Sequence, residues 1–343
     1  MPSRPLHLAV LGATGAVGKA LVQALEDLDL PLASLRLVAS ERSAGTEVEF
    51  QGEARRVEAL GEGSFQGRDL AFFAAGARVS LAWAEKARAA GCAVVDLSPA
   101  FRGDPAVPMV LPEVNAEALA AFSRRGIVAT PGPAATQLAL ALAPLHRAAG
   151  VERASVTTLE AVSGGGQRGV DELEAEMRAM LAFQEPPQPT ALPHRIAFNL
   201  VPQVGAFDAD GASDEERALT AETRRLLGSS VRIAATAVRV PVFYGLSQAV
   251  NLRLHRKLSA ADARELLRKA PGVKVLDDPG QGVYPMPMLA VNDDAALVGR
   301  VREDASQENG LDLFVTADNV RRGAATTALA VAKLLVERQL LRA

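Results

Sequence analysis

Cysteine is almost absent from this chain, since Cys92 is the only one among 343 residues. A single cysteine excludes an intrachain disulfide and a zinc site built from several thiolates. Cys92 lies between the turn AAG and the apolar run AVVDLS, so we expect a small buried residue that opens a strand rather than a reactive thiol. The four histidines show no His-x-x-x-His spacing, and we expect no metal site.

Aromatic residues, long apolar runs and an excess of one charge are also scarce. Aromatics make up 4% of the chain, against 49% hydrophobic residues, a composition typical of a helix-rich α/β protein. Thirty-seven basic and forty acidic residues leave a net charge of −3 without a basic run, which argues against a nucleic-acid partner. Apolar stretches such as residues 138–145 are far shorter than the roughly 20 residues of a membrane span, and MPSRPLHLAV leads into a strand. We therefore expect a cytoplasmic protein without a membrane partner.

The length predicts two domains of roughly 150 residues each. In the first part, strand patterns (HLAVLGA, LRLVAS, DLAFFAA, CAVVDLS and GIVATP) alternate with helix patterns at residues 17–28 and LAWAEKARAAG. This alternation predicts βαβ units on a parallel sheet. We place this domain at residues 1–132, completed by a C-terminal helix within 320–343.

The second part, residues 133–319, has a different pattern. Strands are predicted at ASVTTLEAVS, VRIAATAVRVPVF, AVNLRLH and LDLFVTAD, with helices at VDELEAEMRAMLAF and SAADARELLRKA. In the first of these helices, Val170, Leu173, Met177 and Met180 recur at helical spacing and should face the core. The fold class is thus α/β, with a Rossmann-type domain followed by an α+β domain that has an antiparallel tendency.

A glycine-rich loop joins the first strand to the first helix. Gly12, Gly15 and Gly18 in LGATGAVGKAL put bare N–H groups and a positive helix end where a pyrophosphate could rest. The alternative is a merely tight strand-to-helix turn. After the second strand the chain reads ASERSAG; Glu41 would suit NAD, but Arg42 between Ser40 and Ser43 favours the 2′-phosphate of NADP.

Ten sequence blocks along the chain resemble the aspartate-semialdehyde dehydrogenase family in order and spacing. They are GATGAVG, ASERSAG, DLSPAFR, LPEVN, GIVATP, AVSGGGQRGVDEL, AFNLVPQVGAF, RVPVFYGLSQAVN, VGRVRED and ADNVRRGAA. The resemblance implies a homodimer whose second domain binds substrate and dimerises. It also implies NADP-dependent reductive dephosphorylation of β-aspartyl phosphate to aspartate semialdehyde. In that family a cysteine thiolate attacks the acyl phosphate and a histidine carries the proton.

The resemblance assigns binding residues position by position. Arg102 and Arg239 match the substrate arginines, Glu215 matches a substrate-binding acid, and Gln137 matches the family glutamine. The cofactor positions implied are Gly12, Thr14, Gly15, Ala16, Val17, Ser40, Arg42, Ser43, Ala75, Gly76, Ser163, Gly164 and Asn319.

The departures from the family pattern are concentrated at the positions of the catalytic residues. The nucleophilic cysteine corresponds to Pro133 and the histidine to Leu246, while a glutamine becomes Glu160 and a lysine becomes Ala218. Proline has neither a nucleophilic atom nor an N–H, so thioester formation is excluded at this position. These departures resemble a divergent branch, the Usg-type homologues, which lacks both catalytic residues.

Replacement groups are not evident in the sequence. Thr130 and Thr136 flank Pro133 but have no histidine nearby, Cys92 should be buried, and His255 would need a change of register to reach the site. Three hypotheses follow. The first is a protein that binds NADP(H) and a small anionic ligand but does not perform thioester catalysis. The second is an NADP-dependent oxidoreductase of changed, noncovalent chemistry that acts on an anionic aldehyde or acyl substrate and uses Glu160 as acid or base; the third is a non-catalytic regulatory partner in a heterodimer with an active relative.

Overall fold

The computed structural model describes residues 4–28 and 31–341. The chain divides into two compact units: Met1–Gly132 with Ala324–Ala343, and Pro133–Gly323. The predicted first domain also includes residues 1–3, 29–30 and 342–343, which lie outside the described part.

The strands and helices are named in chain order. Up to Gly132 they are β1 (Leu6–Leu11), α1 (Ala16–Glu26), β2 (Leu32–Ala39), β3 (Glu47–Phe50), β4 (Glu53–Arg56), β5 (Glu58–Ala59), β6 (Leu70–Phe73), α2 (Ala77–Ala89), β7 (Ala93–Asp96), α3 (Pro112–Asn115) and β8 (Ile127–Ala129). They continue with α4 (Pro133–Ala149), β9 (Val151–Glu160), α5 (Gln167–Leu181), α6 (Asp214–Leu227), β10 (Arg232–Arg239), β11 (Leu246–Leu254), α7 (Ala260–Arg268), β12 (Val273–Val275), α8 (Pro287–Ala290), β13 (Ala296–Glu303), β14 (Gly310–Ala317) and α9 (Thr326–Glu337).

The first unit contains a parallel sheet in the order β5-β2-β1-β6-β7-β8. Strands β6 and β7 are buried along their whole length, as expected for a parallel sheet covered by helices on both faces. Side chains of α1 and α9 share one core cluster with β1 and β6. The order, with β1 in the middle and the chain reversing direction beside it, is that of a Rossmann-type domain, which confirms the predicted fold class.

A hairpin that the sequence patterns did not predict follows β2. Strands β3 and β4 pair antiparallel across Gln51 and Gly52, which have φ values of 53° and 73°. Two consecutive left-handed residues match a type I′ turn, whose twist suits two antiparallel strands. Strand β3 (EVEF) alternates charged and apolar residues but is only four residues long, and all four residues of β4 (EARR) are exposed, so the strand signal is weak.

The second unit contains a mixed sheet in the order β10-β9-β11-β14-β13-β12. The central pairs are antiparallel, whereas β10 with β9 and β12 with β13 are parallel. The antiparallel tendency predicted from the sequence therefore holds only for the middle of the sheet. Helix α4 packs against α6, α7 and the sheet.

One strand ends earlier than predicted. The strand predicted through Phe243 ends at Arg239, because Pro241 cannot donate to a ladder. Arg239 forms a bridge to Val201 in addition to its pairing with Glu160. The prediction for α5 is confirmed: Val170 and Leu173 are buried, and the two methionines pack against the same cluster. No helix in residues 4–28 and 31–341 is long and apolar enough to cross a membrane.

Candidate functional site

The glycine-rich loop lies at the carboxyl end of β1, in the first unit. Gly12 has φ +90°, and a Cβ there would lie 2.6 Å from the carbonyl oxygen of Ala74. A Cβ on Gly18 would lie 2.1 Å from the Gly12 oxygen, so α1 approaches the loop as closely as backbone allows. Gly15 caps α1 without a side-chain bond, which leaves its first N–H groups facing outward. This loop fits a pyrophosphate, and the strand-to-helix context favours that interpretation over a plain tight turn.

The other predicted cofactor residues of the first unit follow the neighbouring strands. Ser40, Arg42 and Ser43 form the turn after β2, and Ala75 and Gly76 follow β6. Because β1, β2 and β6 are parallel neighbours, these turns lie at one edge of the sheet, where open α/β sheets bind ligands.

Arg102 belongs to the same unit and is fixed by backbone oxygens. Its Nε donates to the Thr130 carbonyl at 3.0 Å and its Nη2 to the Leu97 carbonyl at 2.8 Å. The strand before it ends in Asp96, a fully buried carboxylate that accepts from Ser80 at 2.6 Å and Ser98 at 2.9 Å. Burial raises the pKa of Asp96, against the opposing effect of both hydroxyls. The supporting role of Asp96 was missed; a lone Asp inside the apolar run AVVDLS was its only signal.

The remaining predicted residues meet in the second unit. A row of strand partners crosses the sheet there: Arg239 pairs with Glu160, Glu160 with Leu246, and Leu246 with Ala317. A cavity of about 110 Å³ lies beside this row. Its lining residues are Pro133, Glu160, Ala161, Gly164, Val204, Glu215, Arg239, Gly245, Leu246 and Asn319.

Glu160 and Arg239 form the charged centre of this cavity. The two residues are 5% and 6% exposed, and Glu160 Oε2 lies 3.5 Å from Arg239 Nη1. Arg239 Nη1 also donates to the Ala161 carbonyl at 2.7 Å, while Thr158 donates to Glu160 Oε1 at 2.9 Å. Burial raises the pKa of Glu160 despite the nearby guanidinium. A carboxyl group that holds its proton above the usual range is suited to act as a general acid.

Gly164 and Asn319 also line the cavity, and Ser163, which does not line it, is hydrogen-bonded to Asn319. A Cβ on Gly164 would lie 2.6 Å from Arg239 Nη1, so glycine makes room for the guanidinium. Asn319 Nδ2 donates to Ser163 Oγ at 3.1 Å, and its Oδ1 accepts from the Gly245 N–H at 2.9 Å. Glu215 reaches the cavity from the first turn of α6.

Pro133 is the first residue of α4, as predicted for a proline with preset φ and no N–H to satisfy. Gly323 packs on it so closely that a Cβ there would lie 2.6 Å from Pro133 Cβ. Leu246 is 4% exposed and presents only carbon to the cavity. Among the described residues that line this cavity there is no cysteine, serine or histidine.

Two of the four groups considered as replacements, Cys92 and His255, lie elsewhere. Cys92 is fully buried before β7, which confirms the prediction, and burial raises its pKa to about 12. His255 follows the last residue of β11, so a strand of about 30 Å separates it from Leu246. The described part of the chain contains no group of three His, Cys, Asp or Glu that could hold a metal ion.

The parallel sheet with its glycine loop, together with a second unit of mixed sheet, defines a two-domain dinucleotide-binding α/β protein. Residues 7–122 match the NAD binding domain of semialdehyde dehydrogenases, and residues 142–322 match their dimerisation domain. The aspartate-semialdehyde dehydrogenase of Aquifex aeolicus is 42% identical over 98% of this chain and 99% of its own. The chain belongs to the aspartate-semialdehyde dehydrogenase family.

Solved structures of this family superpose closely. Aspartate-semialdehyde dehydrogenase II from Vibrio cholerae, solved in complex with ASA, is 38% identical with a TM-score of 0.93, covering 98% of this chain and 99% of its own. The enzyme from Candida albicans, solved with NADP, is 25% identical with a TM-score of 0.76, covering 98% and 99%. The predicted family and fold are confirmed.

Proposed function

We propose that this chain binds NADP(H) and a small anionic ligand but does not carry out the thioester chemistry of its family. The chain would then represent a divergent branch resembling the Usg-type homologues. The observation that carries the proposal is the composition of the second-unit cavity, where Pro133 and Leu246 stand at the positions matched to nucleophile and base. Neither side chain can attack a carbonyl or move a proton.

A thiolate from elsewhere in the chain does not replace the nucleophile missing at Pro133. Cys92 is the only cysteine of the chain, and its raised pKa of about 12 keeps it a thiol at neutral pH. Since the thiolate is the nucleophilic form, no other sulfur in the protein substitutes for the missing one.

The cofactor proposal concerns NADP rather than NAD. Arg42 and the hydroxyls of Ser40 and Ser43 offer a cation and two donors to a 2′-phosphate, whereas Glu41 in the same turn would favour a ribose 2′-OH. Thr14, Ala16 and Val17 offer backbone N–H groups to the pyrophosphate, and Ala75 and Gly76 line the same edge. A bound cofactor would supply hydride; the residues named here bind and orient it.

The remaining proposed contacts concern the ligand and the nicotinamide end. Arg239 and Arg102 would hold anionic groups, and Glu215 an ammonium or hydroxyl group. Ser163 and Asn319, joined to each other and to Gly245 by hydrogen bonds, would contact the cofactor together with Gly164. We also propose a homodimer, supported by the match of residues 142–322 to a dimerisation domain. Exposed apolar side chains near α8, among them Met286 and Met288, supply an apolar surface for it.

Glu160 favours a second candidate, a noncovalent NADP-dependent oxidoreductase. Its buried carboxyl has a raised pKa and faces the cavity beside Arg239. Direct hydride transfer to a carbonyl needs positioning and a proton source but no cysteine. Glu160 would supply that proton.

An assay with aspartate semialdehyde, phosphate and NADP, combined with calorimetric titration of NADPH, tests these proposals. We expect NADPH binding without turnover. Turnover that Glu160→Gln abolishes would establish the noncovalent oxidoreductase instead. A chain that fails to bind NADPH would favour the third hypothesis, a regulatory partner of an active relative.

A rescue experiment tests the assignment of the two lost positions. The double substitution Pro133→Cys and Leu246→His restores a thiol at the start of α4 and an imidazole on the strand beside it. We expect traces of phosphate-dependent NADP reduction from the double variant and none from either single variant, because thiol and base act as a unit. Loss of NADPH binding in the double variant would mark a folding defect rather than a failed rescue.

A further inference from the structure

A second arginine lies beside the proposed 2′-phosphate turn. Arg56 is the last residue of β4, and its Nη2 lies 3.7 Å from the position that a Gly45 Cβ would occupy. Two backbone bonds hold the segment in place: Gly45 N donates to the Val57 oxygen at 2.9 Å, and Val57 N to the Thr46 oxygen at 2.8 Å. The hairpin thus places the Arg56 guanidinium beside Gly45, three residues after Arg42.

Neither arginine has a counter-ion among the residues that the structure describes. Within residues 4–28 and 31–341, the side chains of Arg42 and Arg56 form no hydrogen bond or ion pair. Arg56 has an acidic neighbour directly opposite, because Glu47 is its register partner on β3. Opposite charges at such positions normally attract each other, yet the Arg56 side chain lies over Gly45 instead.

The neighbouring arginine behaves differently. Arg55 points to the other face of β4, since side chains alternate along a strand, and its Nη2 pairs with Glu53 at 2.8 Å. The hairpin therefore carries one arginine that is neutralised locally and one that is directed to the cofactor turn without a partner.

We propose that Arg56 is a specificity-determining residue that binds the 2′-phosphate of NADP(H) together with Arg42. The proposal rests on the proposed binding of NADP(H) to the first unit. A phosphate dianion between two guanidinium groups and the hydroxyls of Ser40 and Ser43 receives charge-assisted bonds from several sides. NADH, which lacks this phosphate, gains nothing from Arg56.

The test measures dissociation constants of NADPH and NADH for the full chain at low and at physiological ionic strength. We expect Arg56→Ala to weaken NADPH binding about fivefold, the scale of an exposed charge-assisted contact, and to leave NADH binding unchanged. The loss should shrink with added salt, because exposed charges are screened. Arg56→Lys keeps the charge and should retain part of the preference.

Arg55→Ala is the matched control, since it removes the same charge from the adjacent residue of the same strand. It should leave both dissociation constants unchanged. If wild-type protein binds NADPH but Arg56→Ala has no effect, or weakens NADPH and NADH equally, the role of Arg56 is refuted while NADP binding stands. If wild-type protein binds NADH as tightly as NADPH, or binds neither, the NADP proposal itself fails and the role of Arg56 with it.

Discussion

Gly18→Ala tests whether the loop after β1 holds a dinucleotide as inferred. Gly18 is the third residue of α1 and is fully enclosed. An ideal Cβ there would lie 2.1 Å from the Gly12 oxygen and 2.8 Å from Ala13 Cα. Both are backbone atoms, so no side-chain rotation relieves the overlap, and α1 has to move away from the loop by about 1 Å to reach ordinary packing distances.

Two opposing effects set the size of the change. Alanine is favoured over glycine inside a helix by about 1 kcal/mol, whereas forcing an extra carbon into a packed site costs about 1–3 kcal/mol. We therefore expect a net loss of about 1 kcal/mol in the free energy of unfolding. The effect on NADPH affinity should be larger than the effect on stability, because the displaced helix carries the N–H groups that we propose to bind the pyrophosphate. A tenfold or greater loss of affinity corresponds to about 1.4 kcal/mol or more.

Calorimetric titration with NADPH and urea unfolding of the same preparation measure both quantities. Gly63→Ala serves as the control, since a Cβ at Gly63 meets nothing within 4 Å and its φ is not positive. Unchanged NADPH affinity in Gly18→Ala would refute either the close approach of α1 to the loop or the binding of the pyrophosphate there.

Three further predictions follow from buried groups. Cys92, with its pKa of about 12, should resist iodoacetamide at pH 8 in the folded protein and react fully in guanidinium; labelling of the native protein would contradict its burial. Because burial raises the pKa of Glu160, the stability contributed by its protonated form is complete below the unfolded pKa and lost as pH rises through the folded one. In urea unfolding, the free energy of unfolding of Glu160→Gln should therefore rise relative to that of wild type as pH increases from about 4.5. Equal pH profiles of the two proteins would refute this. Glu172 accepts backbone N–H bonds from Thr190 at 2.5 Å, Ala191 at 2.7 Å and Leu192 at 3.0 Å. Because Glu172→Gln puts an NH₂ group against these donors, it should destabilise the chain by about 1–3 kcal/mol and expose residues 184–193 to protease. The control Glu174→Gln removes only an exposed ion pair with Arg178 and should have neither effect.

The parts of the fold that could be predicted are those where strong local signals agree. Strand β1, its loop and α1 follow from an apolar run, three glycines and a helical repeat. Strand β13 was missed because Gly299 and charged residues interrupt its pattern, and the ladder to β14 is irregular between Gly299 and Arg302. The hairpin of β3 and β4 was missed because each strand has only four residues and all four residues of β4 are exposed.

The candidate site was predictable in its residues but not in its arrangement. Resemblance supplied Arg239, Glu160 and Leu246 as separate positions. That they occupy neighbouring positions across three strands depends on the register of parallel β10 and antiparallel β11 against β9. Pairing between strands that are distant in sequence leaves no local trace, so the buried contact of Glu160 with Arg239 appears only in three dimensions.

The Gln51–Gly52 turn would make the proposed cofactor preference depend on backbone length. Side chains alternate between the two faces of β4, so deletion or insertion of one residue between Gly52 and Arg56 would exchange the faces of Arg55 and Arg56. The paired arginine would then face the cofactor turn, and the unpaired one would face the apolar side that carries the buried Phe50. Relatives whose hairpins differ in length by one residue would thus differ in their discrimination between NADP and NAD without any change at Arg42. Hairpin length would then be a variable for designing cofactor choice.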